Sequence, residues 1–562
     1  MNINLNQANT FDAIIVGSGI SGGWAAKELT EKGLRVLMLE RGRTVEHPAY
    51  PTATQNPWDF SHRGKLSIEE QKRCPVQSRH YSYQGDNQHY YINDLENPYE
   101  EIKRYDWIRG DVVGGRSLLW ARQSYRLSDL DFEANQKDGN GIDWPIRYKD
   151  LAPWYDYVES FIGVSGSQAN IPHLPDGKFQ PPFDLNCAEL DLKKRMSVHY
   201  PDRHLIVGRT ANLTNPVKGR GVCQARNLCH RGCPYGAYFS TNASTLPAAF
   251  ATGNLTLVSG ALVNRVLYNN QKSKATGVEV IDTQSGAVTE YFSKIIFLNA
   301  STMATTFILL NSTSDRFPNG LGNDSDQVGR NIMDHHKGVS VWASVDGFEN
   351  EYYYGRRPTG IYIPRYRNIG KDRQNYLRGF GFQGGGYREG WGNYSGNETI
   401  GSALKEAVQA PGSWQLSFNG FGECLPYADN RVTLNTNLKD KYGRNSLSMS
   451  VDFRENEKQM QIDMADSLAE MLEQCGYKNV RSARQMSFPG NANHEMGSAR
   501  MGKDSKTSVL NAFNQMHAVR NVFITDGSCM TSSASVNPSL TYMAITARAC
   551  AYAVEELKRQ NL

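Results

Sequence analysis

The chain has 562 residues and a formal net charge of +4 at pH 7. This length exceeds one ordinary domain, so two or three domains are expected. The net charge is small and the basic residues are scattered, so no nucleic-acid or membrane-surface partner is expected. No run of about eighteen apolar residues occurs, so no direct membrane span is expected. The first residues also lack the basic and apolar regions of a signal peptide.

The first strong motif lies between residues 11 and 42. An apolar run over 13–16 predicts a buried strand, and the G-x-G-x-x-G turn Gly17–Gly22 leads from it into a helix. Its three glycines permit the tight turn, close approach of a pyrophosphate, and packing of helix on strand. Phosphates would meet the free N–H groups at the helix N-terminus. Glu40, at the tip of the next strand, is predicted to accept from a ribose hydroxyl, which favours FAD or NAD.

Two features follow in the next part of the chain. Residues 43–104 are rich in Tyr, Asn, Gln and Pro and predict a long irregular excursion, typical of a lid or an interface. The adjacent Gly114 and Gly115 follow an apolar pair, and their backbone can lie against a flat ring or a phosphate. A plain turn is the alternative interpretation.

Three of the nine cysteines are clustered. Cys223, Cys229 and Cys233 have the spacing C-x5-C-x3-C, and Pro234 follows the last of them. Three thiolates so close in sequence can bind one compact metal centre, and the proline is typical of iron–sulfur loops. Zinc held with His230, or three thiols without a metal, are the alternatives. The other six cysteines are scattered, as reduced thiols are.

The second half of the chain changes character. Apolar clusters over 262–280 and 291–299 predict strands that return to the dinucleotide domain. Residues from about 337 to 442 are aromatic and strand-like, and predict an antiparallel sheet with one wet face. Within them the glycine-rich stretch 384–397 predicts a flexible surface or active-site loop. Residues 455–475 predict a helix on the 3.6 period.

Two segments near the C-terminus contain residues suited to alcohol oxidation. His494 lies in one of them, and the other contains Asp526-Gly527 at a predicted strand end and Asn537-Pro538 before a helix. If His494 and Asn537 converge, one can take a hydroxyl proton as hydride leaves carbon while the other holds the oxygen. A single histidine is more often structural.

Taken together, these motifs resemble the glucose–methanol–choline (GMC) oxidoreductases, which use FAD to oxidise alcohols and sugars. The resemblance covers nearly the full length. It implies an α/β (overall α+β) fold: a Rossmann-like FAD-binding domain and a substrate domain with an antiparallel sheet covered by helices. The FAD domain would comprise 1–130, 205–335 and 485–562, including the cysteine loop, and the substrate domain 131–204 and 336–484.

The resemblance also implies roles for individual residues. His494 would be the catalytic base and Asn537 its partner. FAD would be non-covalent, because no histidine occurs in 114–120. The residues expected to contact it are Gly17, Gly19, Ile20, Ser21, Gly22, Glu40, Arg41, Gly114, Gly115, Ser117, Trp120, Asp526, Gly527, Asn537, Pro538 and Thr541.

The cysteine triplet resembles that of an iron–sulfur branch of the family, the catalytic subunits of bacterial glucose and glucoside dehydrogenases. That resemblance implies a [3Fe–4S] cluster on Cys223, Cys229 and Cys233, and leaves open whether Cys187 joins it. It further implies a dehydrogenase that passes electrons to a cytochrome c-type acceptor. A small accessory subunit would carry the export signal, giving a periplasmic location with or without attachment to the membrane through a cytochrome subunit. The cytoplasm is the alternative.

Residues 364–368 and 377–384 resemble the glucoside 3-dehydrogenase branch. This predicts oxidation at C3 of a glucopyranoside to a 3-keto sugar. The alternative enzymatic activity is oxidation at another carbon, such as C1 of glucose or C2 of gluconate. The non-enzymatic alternative is a redox sensor that binds a flavin and a cluster. Gln383, His335 and His336 are expected to shape the substrate pocket or merely to pack.

Overall fold

The computed structural model describes residues 9–352, 355, 357–390 and 400–562. The strands in this part of the chain are β1 Thr10–Val16, β2 Val36–Glu40, β3 Glu100–Glu101, β4 Val164–Ser165, β5 Phe179–Gln180, β6 Ile206–Val207, β7 Leu255–Ser259, β8 Ala261–Asn269, β9 Lys274–Asp282, β10 Val288–Leu298, β11 Arg330–Met333, β12 Val339–Val345, β13 Ile361–Ile363, β14 Phe380–Arg388, β15 Trp414–Gly422, β16 Arg431–Lys439, β17 Asn445–Ser450, β18 Lys478–Arg484, β19 Met496–Ser498 and β20 Val522–Ile524. The α-helices are α1 Ile20–Glu31, α2 Ile68–Arg73, α3 Asp129–Phe132, α4 Ala134–Asp138, α5 Tyr148–Ile162, α6 Cys187–His199, α7 Thr245–Phe250, α8 Thr302–Asn311, α9 Gly401–Gln409, α10 Glu455–Gln474 and α11 Ser539–Lys558.

A seven-stranded sheet organises the first half of the fold. Its strand order is β7-β2-β1-β10-β9-β8, with β20 paired to β10. Strands β7, β2, β1, β10 and β20 run parallel, whereas β9 and β8 are antiparallel additions. Residues 13–16 of β1 are buried, as expected for a central parallel strand covered on both faces. The predicted strand, glycine turn, helix and second strand are therefore all present.

A six-stranded antiparallel sheet, in the order β18-β12-β15-β14-β13-β6, forms the second half. Side chains alternate along β15: Leu416 and Phe418 enter the apolar core, while Ser417 and Asn419 line a cavity. Helix α10 covers the apolar face with Met460, Met464, Leu468 and Met471, whose spacing places them on one side of the helix. The other face is therefore the wet one that the sequence predicted.

A short antiparallel pair connects distant parts of the chain. Strand β11 pairs with β19, with Met333 opposite Met496. The predicted loop over 384–397 begins inside strand β14, and its residues 391–397 lie outside the described residues. The predicted domain boundaries stay a prediction. No helix in the described ranges has the length and apolar character needed to cross a bilayer.

Candidate active site

A cavity of about 2150 Å³ lies where several of the predicted motifs meet. Its lining comes from the Gly17–Gly22 turn, the Gly114–Gly115 loop, the two C-terminal motifs and the wet face of the six-stranded sheet. Ligand pockets commonly measure ~300–1,000 Å³. The cavity therefore has room for a dinucleotide together with a second, smaller molecule.

Most of the predicted cofactor residues reach this cavity. Those that line it are Gly17, Gly19, Ile20, Ser21, Glu40, Arg41, Gly115, Ser117, Trp120, Asp526, Gly527 and Asn537. The predicted residues that do not line the cavity are Gly22, Gly114, Pro538 and Thr541. Thr541, for example, is fully buried, and its hydroxyl is 2.8 Å from the hydroxyl of Tyr155. Their predicted contacts with FAD therefore stay a prediction, and Gly22 and Gly114 shape the turns beside the cavity.

The glycine turn has the geometry that a pyrophosphate requires. Gly17 has φ +95°, and a Cβ atom there would lie 2.4 Å from the carbonyl oxygen of Asn299. A Cβ atom on Gly22 would lie 1.9 Å from the carbonyl oxygen of Gly17, so only glycine permits this packing. Helix α1 begins directly after Gly19 without a side-chain cap, which leaves its first N–H groups available to an anion.

Glu40 joins the two glycine loops. One carboxylate oxygen accepts from the backbone N–H of Ser18 at 3.0 Å and from its hydroxyl at 2.6 Å; the other accepts from Gly42 N–H at 2.8 Å. The Ser18 hydroxyl in turn accepts from Gly114 N–H at 2.8 Å. Burial raises the pKa of Glu40, while these donors act in the opposite direction. A carboxylate can accept further hydrogen bonds, so a ribose contact remains open to Glu40.

His494 and Asn537 come together at the cavity wall. The amide nitrogen of Asn537 is 3.3 Å from Nε2 of His494, and both residues line the cavity. Gln383 on β14 donates to the amide oxygen of Asn537 at 2.7 Å. Burial lowers the pKa of His494 well below its ordinary value, so its imidazole is neutral near pH 7. The structure thus brings together the predicted base, its partner and one of the predicted substrate residues.

The other two predicted substrate residues are buried away from the cavity lining. His335 and His336 are 1% and 0% exposed, and neither lines the cavity. His336 lies against Gly422 and Met460 in the core. His335 lies behind the base, with its Nδ1 2.8 Å from Nδ1 of His494. This placement favours the packing alternative, and direct substrate contact by either residue stays a prediction.

Two further charged groups lie next to the predicted base, and neither was predicted from the sequence. Buried Asp334 accepts from the backbone N–H groups of Gly490, Ala492 and His494 at 2.8, 3.2 and 3.0 Å. Burial raises the pKa of Asp334 to about 7. The sequence signal for these two groups was a charged residue beside each histidine, with Asp334 before His335 and Glu495 after His494.

Glu495 forms a bidentate ion pair with Arg116, with N···O distances of 2.6 and 3.1 Å. The Glu495 side chain is 1% exposed. Arg116 lies next to Gly115, so this pair ties the loop expected at the flavin to the segment that carries the base. Such bidentate pairs fix geometry as well as supplying energy.

The cysteine triplet does not form a ready metal centre. Cys223, Cys229 and Cys233 are free thiols that line the cavity, as does Cys187 at the start of α6. No group of three or more His, Cys, Asp or Glu side chains in the described ranges is placed to hold a metal ion. His230, the fourth ligand of the zinc alternative, pairs with Asp86 at 2.9 Å instead. The predicted metal site is therefore not supported by the placement of its side chains.

Comparisons with known proteins identify related enzymes. Family models described as GMC oxidoreductase match residues 11–337 and 426–546. A 2-methyl-1,2-propanediol dehydrogenase of Mycolicibacterium austroafricanum is 28% identical over 97% of this chain and 95% of its own. The fructose dehydrogenase large subunit of Gluconobacter japonicus is 26% identical over 99% of both chains. The gluconate 2-dehydrogenase flavoprotein of Pantoea cypripedii is 26% identical over 96% and 93%.

The solved structure of a pyridoxine 4-oxidase from Mesorbium loti has the same fold, with a TM-score of 0.62 over 97% of this chain and 99% of that one, at 17% identity. The predicted fold class is thereby confirmed. FAD is the cofactor of the family, and the glycine turn, the uncapped helix and the cavity volume fit it. On these matches, the chain belongs to the GMC oxidoreductase family.

Proposed function

We propose that this protein is a sugar dehydrogenase that oxidises the C3 hydroxyl of a glucopyranoside to a 3-keto sugar. The observation that carries the proposal is the contact between His494 and Asn537, at a cavity wall that also contains the glycine turn. Bound FAD would supply the hydride acceptor. His494 Nε2 would take the hydroxyl proton, and the Asn537 amide would hold the same oxygen.

The part of the cavity lined by the six-stranded sheet suits a sugar. Asn419 and Ser417 on β15 and Gln383 on β14 present polar groups to the cavity, and Phe421 presents an aromatic ring beside them. A pyranose offers hydroxyl edges to the first kind of group and C–H faces to the second. The names of two relatives, a fructose dehydrogenase subunit and a gluconate dehydrogenase flavoprotein, support a substrate of the sugar or sugar-acid class.

The experiment is anaerobic mixing of the FAD-loaded protein with D-glucose, methyl α-D-glucopyranoside, maltose and gluconate, followed by flavin absorbance. We expect bleaching by the glucosides and a 3-keto product by NMR. A lactone from glucose, or a 2-keto acid from gluconate as the preferred product, would replace the C3 assignment. If none of the four substrates bleaches the flavin, the proposal of a sugar dehydrogenase is wrong.

The proposal includes electron exit through a [3Fe–4S] cluster on Cys223, Cys229 and Cys233. The C-x5-C-x3-C-P spacing and the position of all three thiols on the cavity that would hold FAD support it. The three side chains would have to come closer together to bind one centre, because the described structure does not place them to hold a metal ion. Iron, acid-labile sulfide and the EPR spectrum of the oxidised protein test it. Zinc in place of iron, or no metal after anaerobic reconstitution, would overturn this part alone.

Partners and location complete the proposal. The electrons would pass to a cytochrome c-type acceptor, and a small accessory subunit would carry the protein to the periplasm. One relative is named as a large subunit, which supports a multi-subunit assembly. Co-purification from the native cell, followed by fractionation of periplasm and cytoplasm, tests both points. Isolation of the protein alone from the cytoplasm would contradict them.

A further inference from the structure

Behind the base lies a continuous series of polar contacts. It runs from Gln383 through Asn537, His494 and His335 to the carbonyl oxygen of Ala534. The four contact distances along it are 2.7, 3.3, 2.8 and 2.8 Å. The last two contacts use both ring nitrogens of His335, which does not line the cavity.

The direction of the hydrogen bonds follows from the last member of the series. A carbonyl oxygen only accepts, so the 2.8 Å contact to Ala534 requires the proton of neutral His335 to be on Nε2. Nδ1 of His335 then carries a lone pair, and the 2.8 Å contact between the two Nδ1 atoms requires a proton on Nδ1 of His494. That leaves Nε2 of His494 unprotonated, facing Asn537 and the cavity.

The backbone supports this arrangement at two places. Met333 and Met496 are opposite each other in the β11–β19 pair, and continuing that register by two residues places His335 opposite His494. Ala534 has φ +58°, a left-handed conformation that L-residues adopt rarely and at a free-energy cost. Such conformations cluster at functional sites, and this one accompanies a carbonyl aimed at His335.

We propose that His335 is a positioning residue that holds His494 in the Nδ1–H tautomer, so that the lone pair of Nε2 faces the substrate hydroxyl. This inference rests on the proposed function only for the identity of the reaction. Burial lowers the pKa of His335 to about 4, so the residue is neutral near pH 7 and accepts rather than donates at Nδ1. In water the same imidazole would exchange between tautomers, and only one of them is a base at Nε2.

Three variants distinguish a role of His335 in fixing the His494 tautomer from a role in packing alone. His335→Leu removes both nitrogens at similar volume. His335→Asn keeps an acceptor oxygen near the position of Nδ1. His336→Leu is the matched control, because His336 is equally buried but lies outside the series of contacts.

The first measurement is 15N NMR of histidine-labelled, FAD-loaded protein at pH 8, with His494→Ala used for assignment. We expect the Nδ1–H tautomer at His494 in the wild type, in His335→Asn and in the control, and its loss in His335→Leu. An Nε2–H tautomer in the wild type, or an unchanged tautomer in His335→Leu, would overturn the inference whatever the substrate is.

The second measurement is the rate of flavin reduction by the most active glucoside of the panel. General bases contribute typically ~10²–10⁴-fold, so we expect His335→Leu to lose about 10²-fold in rate with substrate affinity unchanged. His335→Asn should recover most of that loss. Equal losses in both His335 variants, or a parallel loss of affinity, would assign His335 to packing. Retained activity in His494→Ala would instead contradict the proposed function itself.

Discussion

The cofactor end and the catalytic end of the cavity are built in different ways. The cofactor end depends on one contiguous stretch, β1, the Gly17–Gly22 turn, α1 and β2, in which each residue is close in sequence to its partners. The catalytic end draws on β14, the segment after β11, the segment before β19 and the loop before α11. Local chemistry therefore specifies the first, whereas long-range strand pairing specifies the second.

The largest expected effect comes from breaking the cofactor end. In Gly22→Val the new Cβ atom would be 1.9 Å from the carbonyl oxygen of Gly17, so the turn cannot keep its geometry. We expect purified protein without bound FAD, measured by the flavin-to-protein absorbance ratio. Gly390→Ala, where no atom lies within 4 Å of the new Cβ, should bind FAD normally. Full flavin content in Gly22→Val would show that the turn does not form the site.

At the catalytic end, His494→Ala should retain FAD but reduce it slowly. Loss of a general base costs typically ~10²–10⁴-fold, and we expect a loss in that range with unchanged substrate affinity. Anaerobic stopped-flow absorbance of the flavin measures it. A loss of flavin content comparable to that of Gly22→Val would mean that the two ends are not separable.

The ion pair between Arg116 and Glu495 connects the two ends. Arg116→Met leaves a buried carboxylate without its partner, a change that typically costs ~3–5 kcal/mol. We expect a lower melting temperature and faster FAD release, measured by scanning calorimetry and flavin fluorescence. Lys478→Met is the control, because its ion pair with Asp346 is about 70% exposed on both sides and such pairs contribute ~0–1 kcal/mol. Equal effects in the two variants would contradict this role.

The smallest expected effect is a pH dependence of stability. Burial lowers the pKa of His335 to about 4, from 6.5, so the unfolded chain binds more protons than the native one between these values. The stability contribution of the neutral residue is therefore complete above pH 6.5 and is lost as the pH falls toward 4. We expect the melting temperature to fall between pH 7 and pH 5, and to fall less in His335→Leu. An identical fall in melting temperature in the wild type and in His335→Leu would contradict the lowered pKa of His335.

This contrast explains what the sequence could and could not predict. The glycine turn, Glu40, the wet sheet face and the pair His494 and Asn537 carry signals in residue type and spacing, and the structure places all of them at the cavity. The role of His335 could not be predicted from the sequence, because it depends on the register of β11 against β19 and on the orientation of one backbone carbonyl. The same holds for the pairing of Arg116 with Glu495, because the two residues are far apart in the chain and meet only in the fold.

Glu40, Ser18, Gly42 and Gly114 form a hydrogen-bond network made of protein groups. These internal bonds favour the binding shape of the pyrophosphate cradle, so we expect little ordering entropy to be lost when the flavin enters. Deflavinated protein should then regain its yellow colour in a simple bimolecular step, which makes cofactor exchange with flavin analogues a practical route to altering its redox potential.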